Sequence, residues 1–255
     1  MQFFKYHGTG NDFIMVDNRE DSWQPTSEEV AGLCDRHFGI GADGLILIEG
    51  DEETEFYMNY YNSDGSQSFC GNGSRCAVAF AMSLGMLEKE EASFRAIDGY
   101  HEAKINGEEI SIRMTDVKEV VVRSENEYFV NTGSPHVVSM VEDLNIDVME
   151  LGSGIRYSEE FEKEGTNVNF LTLLNPNEAM VRTYERGVEG ETLSCGTGVT
   201  ACAIVMHHLS NSAEEKQIHA LGGDLTIRFE KTEKGYENIW LCGPAELVFK
   251  GEWMS

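Results

Sequence analysis

Basic residues are scarce in this chain. Its 255 residues include 19 Lys and Arg against 45 Asp and Glu, which gives a formal net charge of −26. A protein that binds a phosphate backbone needs a basic face, so this balance excludes nucleic acid as an expected partner. The same charge disfavours an anionic membrane surface. A substrate with carboxylates must therefore be bound by local groups, such as helix N-termini and a few placed arginines.

Long apolar runs are also missing. No stretch approaches the roughly 20 apolar residues that a helix needs to span a bilayer. Residues 1–6 lack the charged and apolar regions of a signal peptide, so we expect a cytoplasmic protein without membrane contact. The hydrophobic content of 41% nevertheless suffices for two cores of ordinary domain size.

Cysteine is too sparse for a disulfide framework. Six cysteines in a chain of 255 residues do not resemble a small secreted scaffold, so we expect reduced thiols. There is no C-x-x-C pair, and the adjacent His207 and His208 lack ligand spacing, so no metal site is expected. No lysine lies in a phosphate-cradling motif, and we expect no cofactor.

The chain does contain a long internal repeat. Cys70-Gly71-Asn72-Gly73 recurs as Cys195-Gly196-Thr197-Gly198, and small and apolar residues follow both copies. Four other motifs recur in the same order, 123 to 124 residues later: Thr9-Gly10, Gly41-Ala42-Asp43, Tyr61-Asn62 and Ala96-Ile97-Asp98-Gly99 correspond to Thr132-Gly133, Gly165-Thr166-Asn167, Tyr184-Glu185 and Ala220-Leu221-Gly222-Gly223. A repeat of this length indicates two similar domains rather than a solenoid.

The predicted elements support the same organisation. Residues 73–84 and 198–208 predict helices that are apolar almost all round, which is typical of buried helices. A third helix is predicted over 26–37. Strands are predicted over 2–6, 12–17, 45–48, 56–61, 93–97, 101–105, 109–114, 119–123, 127–131, 136–141, 168–174, 179–184, 224–230 and 238–242.

The expected fold is α+β, with two pseudo-symmetric domains and the active site in the cleft between them. Each domain is a curled, mostly antiparallel sheet around one central buried helix. We expect an N-terminal domain over 1–115, with residues 247–255 able to pack back onto it, and a C-terminal domain over 116–246.

Each half therefore places one cysteine at the start of a buried helix. The N-terminus of a helix presents unpaired N–H groups and a positive dipole end, which bind anions and favour a thiolate. Two such cysteines facing one cleft, Cys70 and Cys195, would make an acid and a base. The N–H groups of Gly71, Asn72, Gly196 and Thr197 lie at the two helix starts, where an anion can bind.

Several longer motifs carry a resemblance to a known family. They are YHGTGNDFIMVD at 6–17, RHFGIGADGLILI at 36–48, YNSDGSQSFCGNGSRC at 61–76, TGSPHVV at 132–138 and TYERGVEGETLSCGTG at 183–198. With these motifs in this order, the chain resembles the diaminopimelate epimerases. That family is a branch of the cofactor-independent racemases and isomerases, which include proline racemase. The resemblance implies that LL-2,6-diaminopimelate is converted to the meso form, in lysine and peptidoglycan precursor synthesis, by a protein that is commonly a homodimer.

The resemblance also assigns roles to individual residues. It implies that Cys70 and Cys195 are the acid–base pair, which removes a proton from one face of an α-carbon and returns one to the other. It also implies that the N–H groups of Gly71, Asn72, Gly196 and Thr197 bind the α-carboxylate of the substrate and that His136 and Glu185 tune the protonation of the cysteines. The residues that it places at the distal carboxylate and ammonium groups of the substrate are Asn11, Asn62, Asn167 and Arg186. Cys76 and Cys202 fall within the helices and are predicted to be core residues.

Three departures from the family pattern bear on the substrate. Gly44 stands where many members have glutamine, Ser134 stands where an asparagine is usual, and the segment 62–70 is one residue shorter than usual. A racemase for another amino acid on the same fold is therefore one alternative, favoured if the distal pocket is reshaped. A non-catalytic protein that binds an amino acid is a second, which retention of both cysteines disfavours.

Overall fold

The chain divides into two compact units. The structure, a computed structural model, describes residues 1–254. One unit holds Met1–Ile112 and the segment from Gly243 onward, and the other holds Arg113–Cys242. No helix within residues 1–254 combines the length and the apolar character needed to cross a lipid bilayer.

The first unit surrounds one central helix with strands. Its strands are β1 (Gln2–Gly8), β2 (Asn11–Asp17), β3 (Gly44–Glu49), β4 (Phe56–Asn62), β5 (Glu91–Ala96), β6 (Gly99–Asn106), β7 (Glu109–Arg113) and the late strand β17 (Glu246–Glu252). Its helices are α1 (Ser27–Cys34) and the central α2 (Gly71–Ser83).

The second unit has the same plan. Its strands are β8 (Val121–Ser124), β9 (Glu127–Asn131), β10 (Pro135–Met140), β11 (Asn167–Asn175), β12 (Glu178–Glu185), β13 (Gly190–Thr192), β14 (Glu215–Ala220), β15 (Gly223–Thr232) and β16 (Gly235–Gly243). Its helices are α3 (Val148–Arg156) and the central α4 (Gly196–Ser210), with a 3₁₀ turn over Glu159–Phe161.

Strand pairing follows one order in both units. From β1 to β7, successive pairs run antiparallel, parallel, antiparallel, parallel, antiparallel and antiparallel. The strands β9, β10, β11, β12, β14, β15 and β16 repeat this order. The predicted α+β class is confirmed, with two pseudo-symmetric halves whose mostly antiparallel sheets each include two parallel pairings.

The central helices are buried because most of their side chains are small or apolar, with the buried Arg75 of α2 as an exception. Ala77, Val78 and Phe80 of α2 are fully buried against strands of the first unit. In α4, every residue from Val199 to Met206 is buried. Cys76 and Cys202 have no exposed surface, as predicted for core residues, and burial raises the pKa of both thiols.

The helix predicted over 26–37 corresponds to α1, but its predicted end is wrong. Several other elements were not predicted. The helix stops at Cys34 because the Asp35 carboxylate accepts hydrogen bonds from the N–H groups of His37 and Phe38, both at 2.7 Å, and so stabilises a turn. The unpredicted elements include α3, β14 and β17, and β17 pairs antiparallel with β1.

A cluster of charged side chains links strands β1 and β2 to the loop after α1. Asp12 lies 2.6 Å from the Lys5 ammonium group and 2.7 Å from the Arg36 guanidinium group. Lys5 also donates to the Gly41 carbonyl, and its side chain is only 8% exposed. Burial alone would raise the pKa of Asp12, but Arg36 and Lys5 outweigh it and lower this pKa to about 2.

Asp12→Asn should lower the free energy of unfolding by about 1–2 kcal/mol at pH 7, since it removes the favoured charge from this cluster. The folded pKa of Asp12 lies below its ordinary 3.8. The loss is therefore complete above the ordinary pKa and shrinks as the pH falls towards about 2. Urea unfolding at pH 7 and at about pH 2.5 measures it, with the exposed Glu88→Gln as control. An equal loss at both pH values would contradict the assignment.

Candidate active site

Cys70 is the N-cap residue of α2. Its backbone is extended, with φ −136° and ψ 114°, and the Gly73 N–H donates to its Sγ at 3.4 Å. Gly71 and Asn72 form the first turn of the helix. The N–H groups and the dipole of a helix N-terminus stabilise negative charge, so this position favours a thiolate.

Asn11 has the opposite influence on the same cysteine. Its Nδ2 donates to the Asp43 carboxylate at 2.8 Å, and this acceptor fixes the orientation of the amide. The Asn11 Oδ1 consequently faces Cys70 Sγ at 3.6 Å and Asn72 Nδ2 at 3.4 Å. A carbonyl oxygen accepts from a thiol but repels a thiolate. Within the first unit, Asn11 therefore stabilises the protonated form of Cys70.

Asn62 fixes the loop that leads to Cys70. Its Nδ2 lies 3.1 Å from the Ser66 carbonyl oxygen, 3.0 Å from the Ser66 hydroxyl and 3.1 Å from the Ser68 hydroxyl. Its Oδ1 accepts from the Tyr60 hydroxyl at 3.0 Å. The Asn62 amide thus holds the shortened segment 62–70 at its start.

Gly44 makes room for that tyrosine. A Cβ at residue 44 would lie 2.5 Å from both Tyr60 Cε2 and the Tyr61 carbonyl oxygen. The Tyr60 ring is 7% exposed and packs edge-on against Phe13. The space beside Gly44 is thus filled by a buried phenol whose hydroxyl contacts Asn62.

Cys195 occupies the equivalent position in the second unit. It is the N-cap of α4, with φ −120° and ψ 110°, and it is 6% exposed. Its Sγ lies 3.5 Å from the Thr197 hydroxyl, and Gly196 and Thr197 begin the helix. The Thr132 hydroxyl donates to the Thr197 carbonyl at 3.0 Å, so the turn before β10 is held against the first turn of α4.

His136 is fully buried near the start of β10. Burial and, to a smaller extent, the positive charge of Arg186 lower the pKa of its imidazole to about 3. The Asn169 Nδ2 lies 3.1 Å from His136 Nδ1. His136 is therefore a neutral ring at physiological pH.

Asn167 organises the other polar residues of this unit. Its Nδ2 donates to the Ser134 hydroxyl and to the Pro135 carbonyl, both at 3.0 Å, and its Oδ1 accepts from the Arg186 N–H at 2.9 Å. The Arg186 guanidinium donates to the Glu164 carbonyl at 2.6 Å. Glu185 accepts from the Thr192 hydroxyl at 2.9 Å. Ser134 thus provides the hydrogen-bonding partner of Asn167 at a position where an asparagine is usual.

The structure groups the predicted site residues by unit. Those in the first unit are Asn11, Asn62, Cys70, Gly71 and Asn72, and those in the second are His136, Asn167, Glu185, Arg186, Cys195, Gly196 and Thr197. Tyr60, Thr132 and Asn169 form hydrogen bonds with them, and Thr183 forms one with Asn169. None of these four was predicted as a site residue. Among residues 1–254, no group of three His, Cys, Asp or Glu is placed to hold a metal ion.

Solved structures with similar folds define the fold class. The chain matches a PhzF-family phenazine biosynthesis protein from Bacillus anthracis with a TM-score of 0.79 at 16% identity, covering 100% of this chain and 99% of the other. It matches a probable proline racemase from Agrobacterium radiobacter with a TM-score of 0.71 at 13% identity, covering 99% and 92%. The chain therefore has the two-domain fold of these proteins.

Sequence comparison identifies the family within that fold. The family model for diaminopimelate epimerase matches residues 3–120 and 128–248. The diaminopimelate epimerase of Flavobacterium psychrophilum is 49% identical, with 98% of this chain and 99% of the relative covered. That of Aquifex aeolicus is 40% identical, with 98% and 97% covered. The chain belongs to the diaminopimelate epimerase family, as its motifs predicted, and is an isomerase.

Gly44→Ala should lower the free energy of unfolding by about 1–3 kcal/mol, because the added methyl group overpacks the Tyr60 ring and the Tyr61 carbonyl. Gly32→Ala in α1 is the matched control, since its Cβ would meet nothing within 4 Å. That control should be neutral or stabilising by up to about 1 kcal/mol. Equal stability of Gly44→Ala and the wild type in urea unfolding would contradict the packing argument.

Proposed function

We propose that this protein converts LL-2,6-diaminopimelate to meso-diaminopimelate without a cofactor, in the synthesis of lysine and peptidoglycan precursors. The observation that carries the proposal is that each unit places a cysteine at the N-cap of a buried central helix, in a chain of the diaminopimelate epimerase family. The two cysteines, in equivalent positions, thereby supply the one acid and the one base that an inversion requires.

The proposed chemistry is a proton exchange at the α-carbon. One cysteine, as thiolate, takes the α-proton and becomes a thiol, and the electron pair of the broken C–H bond stays on carbon beside the carboxylate. The other cysteine, as thiol, gives its proton to the opposite face and becomes a thiolate. The product has the inverted configuration, and the two sulfurs have exchanged protonation states. Either substrate isomer can therefore enter the cycle.

The carbanion needs groups that bind negative charge without rearranging. The first N–H groups of each helix have no intrahelical acceptor, and we propose that Gly71, Asn72, Gly196 and Thr197 donate theirs to the α-carboxylate. His136 and Glu185 are proposed to act on the protonation of the cysteines.

The polar residues of the loops are proposed to recognise the distal end of the substrate. These are Asn11, Asn62, Asn167 and Arg186. Asn62 and Asn167 also fix their own loops, and the guanidinium group of Arg186 lies 3.5 Å from the Ser134 hydroxyl. The hydroxyl of Ser134 and the phenol of Tyr60 support a polar distal pocket in place of the two usual amides.

Proton NMR in D₂O tests the substrate and the reaction together. With LL-diaminopimelate and reduced protein, the α-proton signal should disappear as the meso isomer forms, while a panel of ordinary L-amino acids should keep their signals. Exchange of the α-proton of another amino acid, and not of diaminopimelate, would contradict the proposed substrate and favour a racemase. Binding without any exchange would favour a non-catalytic amino-acid-binding protein.

Cys70→Ala and Cys195→Ala should each reduce epimerisation by at least about 10³-fold, because the remaining cysteine lacks a partner on the opposite face. Cys76→Ala and Cys202→Ala are matched controls in the same two helices, and both should retain inversion of the α-carbon. Near-normal turnover by either Cys70→Ala or Cys195→Ala would overturn the two-base assignment.

We further propose that the protein is a cytoplasmic homodimer. The two units within each chain are proposed to be the homologous domains expected from the repeat. Support for the dimer comes from β17, where three successive apolar residues are about half exposed: Leu247 at 51%, Val248 at 55% and Phe249 at 47%. Neighbouring side chains of a strand point to opposite faces, so both faces of β17 expose apolar surface, which is typical of an interaction site. A second copy of this chain is the proposed occupant.

Val248→Asp should yield a monomer in sedimentation or light-scattering experiments in which the wild-type protein is a dimer. A carboxylate in an apolar interface loses its hydration without gaining a partner. Val122→Asp, at a 58% exposed position of β8, is the control and should remain dimeric. A monomeric wild type at micromolar concentration would overturn the dimer proposal, and a dimeric Val248→Asp would overturn the assignment to β17.

A further inference from the structure

Asn169 joins three elements of the second unit. It lies in β11, which pairs in parallel with the His136 strand, and it has no exposed surface. Its Nδ2 is 3.1 Å from His136 Nδ1 and 3.1 Å from the Val137 carbonyl oxygen. Its Oδ1 accepts from the Thr183 hydroxyl of β12 at 3.0 Å. Every polar atom of this amide therefore has a partner.

These contacts fix which way the amide points. A backbone carbonyl only accepts hydrogen bonds, so the group that faces Val137 must be the amide nitrogen. The second hydrogen of that nitrogen then points at His136 Nδ1. Because Nδ1 accepts this hydrogen bond, it carries no proton, and the neutral ring must carry its proton on Nε2.

The Nε2 atom of His136 is buried, and no described residue forms a hydrogen bond with it. A buried N–H without a partner is costly, unless a ligand or a solvent molecule accepts from it. The ring can take a second proton only at Nδ1, where that proton would confront the Asn169 N–H. The surroundings of His136 therefore favour a ring that donates a hydrogen bond from Nε2, and they disfavour a ring that accepts a proton as a base.

The same amide lies against the helix that begins after Cys195. A Cβ at Gly198 would collide with the Asn169 Oδ1, and it would lie 3.3 Å from the Cys195 Cβ. The glycine two residues after the helix start thus allows Asn169 to approach the first turn of α4. A movement of Asn169 would affect His136 and this turn together.

We propose that Asn169 is a positioning residue, which holds His136 as the Nε2-protonated neutral imidazole so that His136 donates a hydrogen bond at the site. The inference rests on the proposed function only in placing His136 at the site. A neutral donor stabilises a thiolate or a carboxylate without itself changing charge. In this mechanism His136 removes no proton from either cysteine, and proton transfer at carbon stays with the two sulfurs.

Long-range ¹H–¹⁵N NMR of histidine-labelled wild-type protein tests the tautomer directly. The spectrum of His136→Gln identifies the His136 signals among the 7 histidines. The expected result is a neutral ring protonated at Nε2 across pH 5 to 9. A ring protonated at Nδ1, or an imidazolium in this range, would overturn the proposal. This readout does not depend on activity, so it stands even if the proposed substrate is wrong.

Asn169→Asp tests the positioning role. A carboxylate accepts but does not donate, so the ring should move its proton to Nδ1 or become an imidazolium. We expect kcat to fall about 100-fold with little change in KM, which is typical of losing one preorganised donor. The pH–rate profile should also gain a titrating group, because the aspartate raises the pKa of His136 against the effect of Arg186. Asn145→Asp adds the same charge at an exposed position of this unit and should match the wild type.

Thr183 provides a test that introduces no buried charge. Thr183→Ser keeps the hydroxyl that donates to the Asn169 Oδ1, whereas Thr183→Val removes it. We expect Thr183→Ser to retain the wild-type tautomer and rate, and Thr183→Val to lower kcat several-fold. Unchanged kcat and an unchanged His136 tautomer in Asn169→Asp would overturn the proposal. If the wild type fails to epimerise diaminopimelate, the proposed function fails while the NMR result still decides the role of Asn169.

Discussion

The structure of each unit depends on close approach of the chain to the first turn of a buried helix. In the first unit, a Cβ at Gly8 would lie 3.0 Å from the Asn72 carbonyl oxygen, so glycine lets β1 approach the helix without a shift of this backbone. In the second, Thr132 donates its hydroxyl directly to the Thr197 carbonyl. Small residues at these contacts let polar backbone groups lie close to the first turn of the helix. In each unit the N-cap cysteine therefore lies at the end of a largely apolar core. The position of both thiols follows from this packing.

The loops around these helix ends are built by side-chain amides. Asn62 and Asn167 each form several hydrogen bonds with their own or neighbouring loops, and these contacts occupy donors that the resemblance assigns to the substrate. Their proposed effect on specificity therefore depends on the shape of the loop as well as on direct contact. Tyr60 and the Ser134 hydroxyl contribute to that shape, because they form hydrogen bonds with Asn62 and Asn167.

The sequence predicted the repeated features because they rest on local chemistry. Both glycine-led apolar runs form buried helices, and Gly10 and Gly133 both adopt the positive φ that the recurring Thr-Gly turn requires. The contacts of Tyr60 and Asn169 could not be predicted, since they depend on which strands lie side by side. The recurrence of Asn at residues 167 and 169, which face the same side of β11, was the available signal. Strand β17 was missed because its apolar residues show no alternation of burial.

The excess of acidic residues constrains how the site can bind an anionic amino acid. Most arginines near the proposed residues are matched with carboxylates, as Arg36 is with Asp12 and Asp43 and Arg182 is with Glu191. Arg186 differs: among the described ion pairs it has no carboxylate partner, and its guanidinium donates to a backbone carbonyl. This agrees with the proposed role of Arg186 in binding a substrate carboxylate. The same charge helps to keep His136 neutral, so the proposed anion binding by Arg186 and the proposed hydrogen-bond donation by His136 depend on one arrangement.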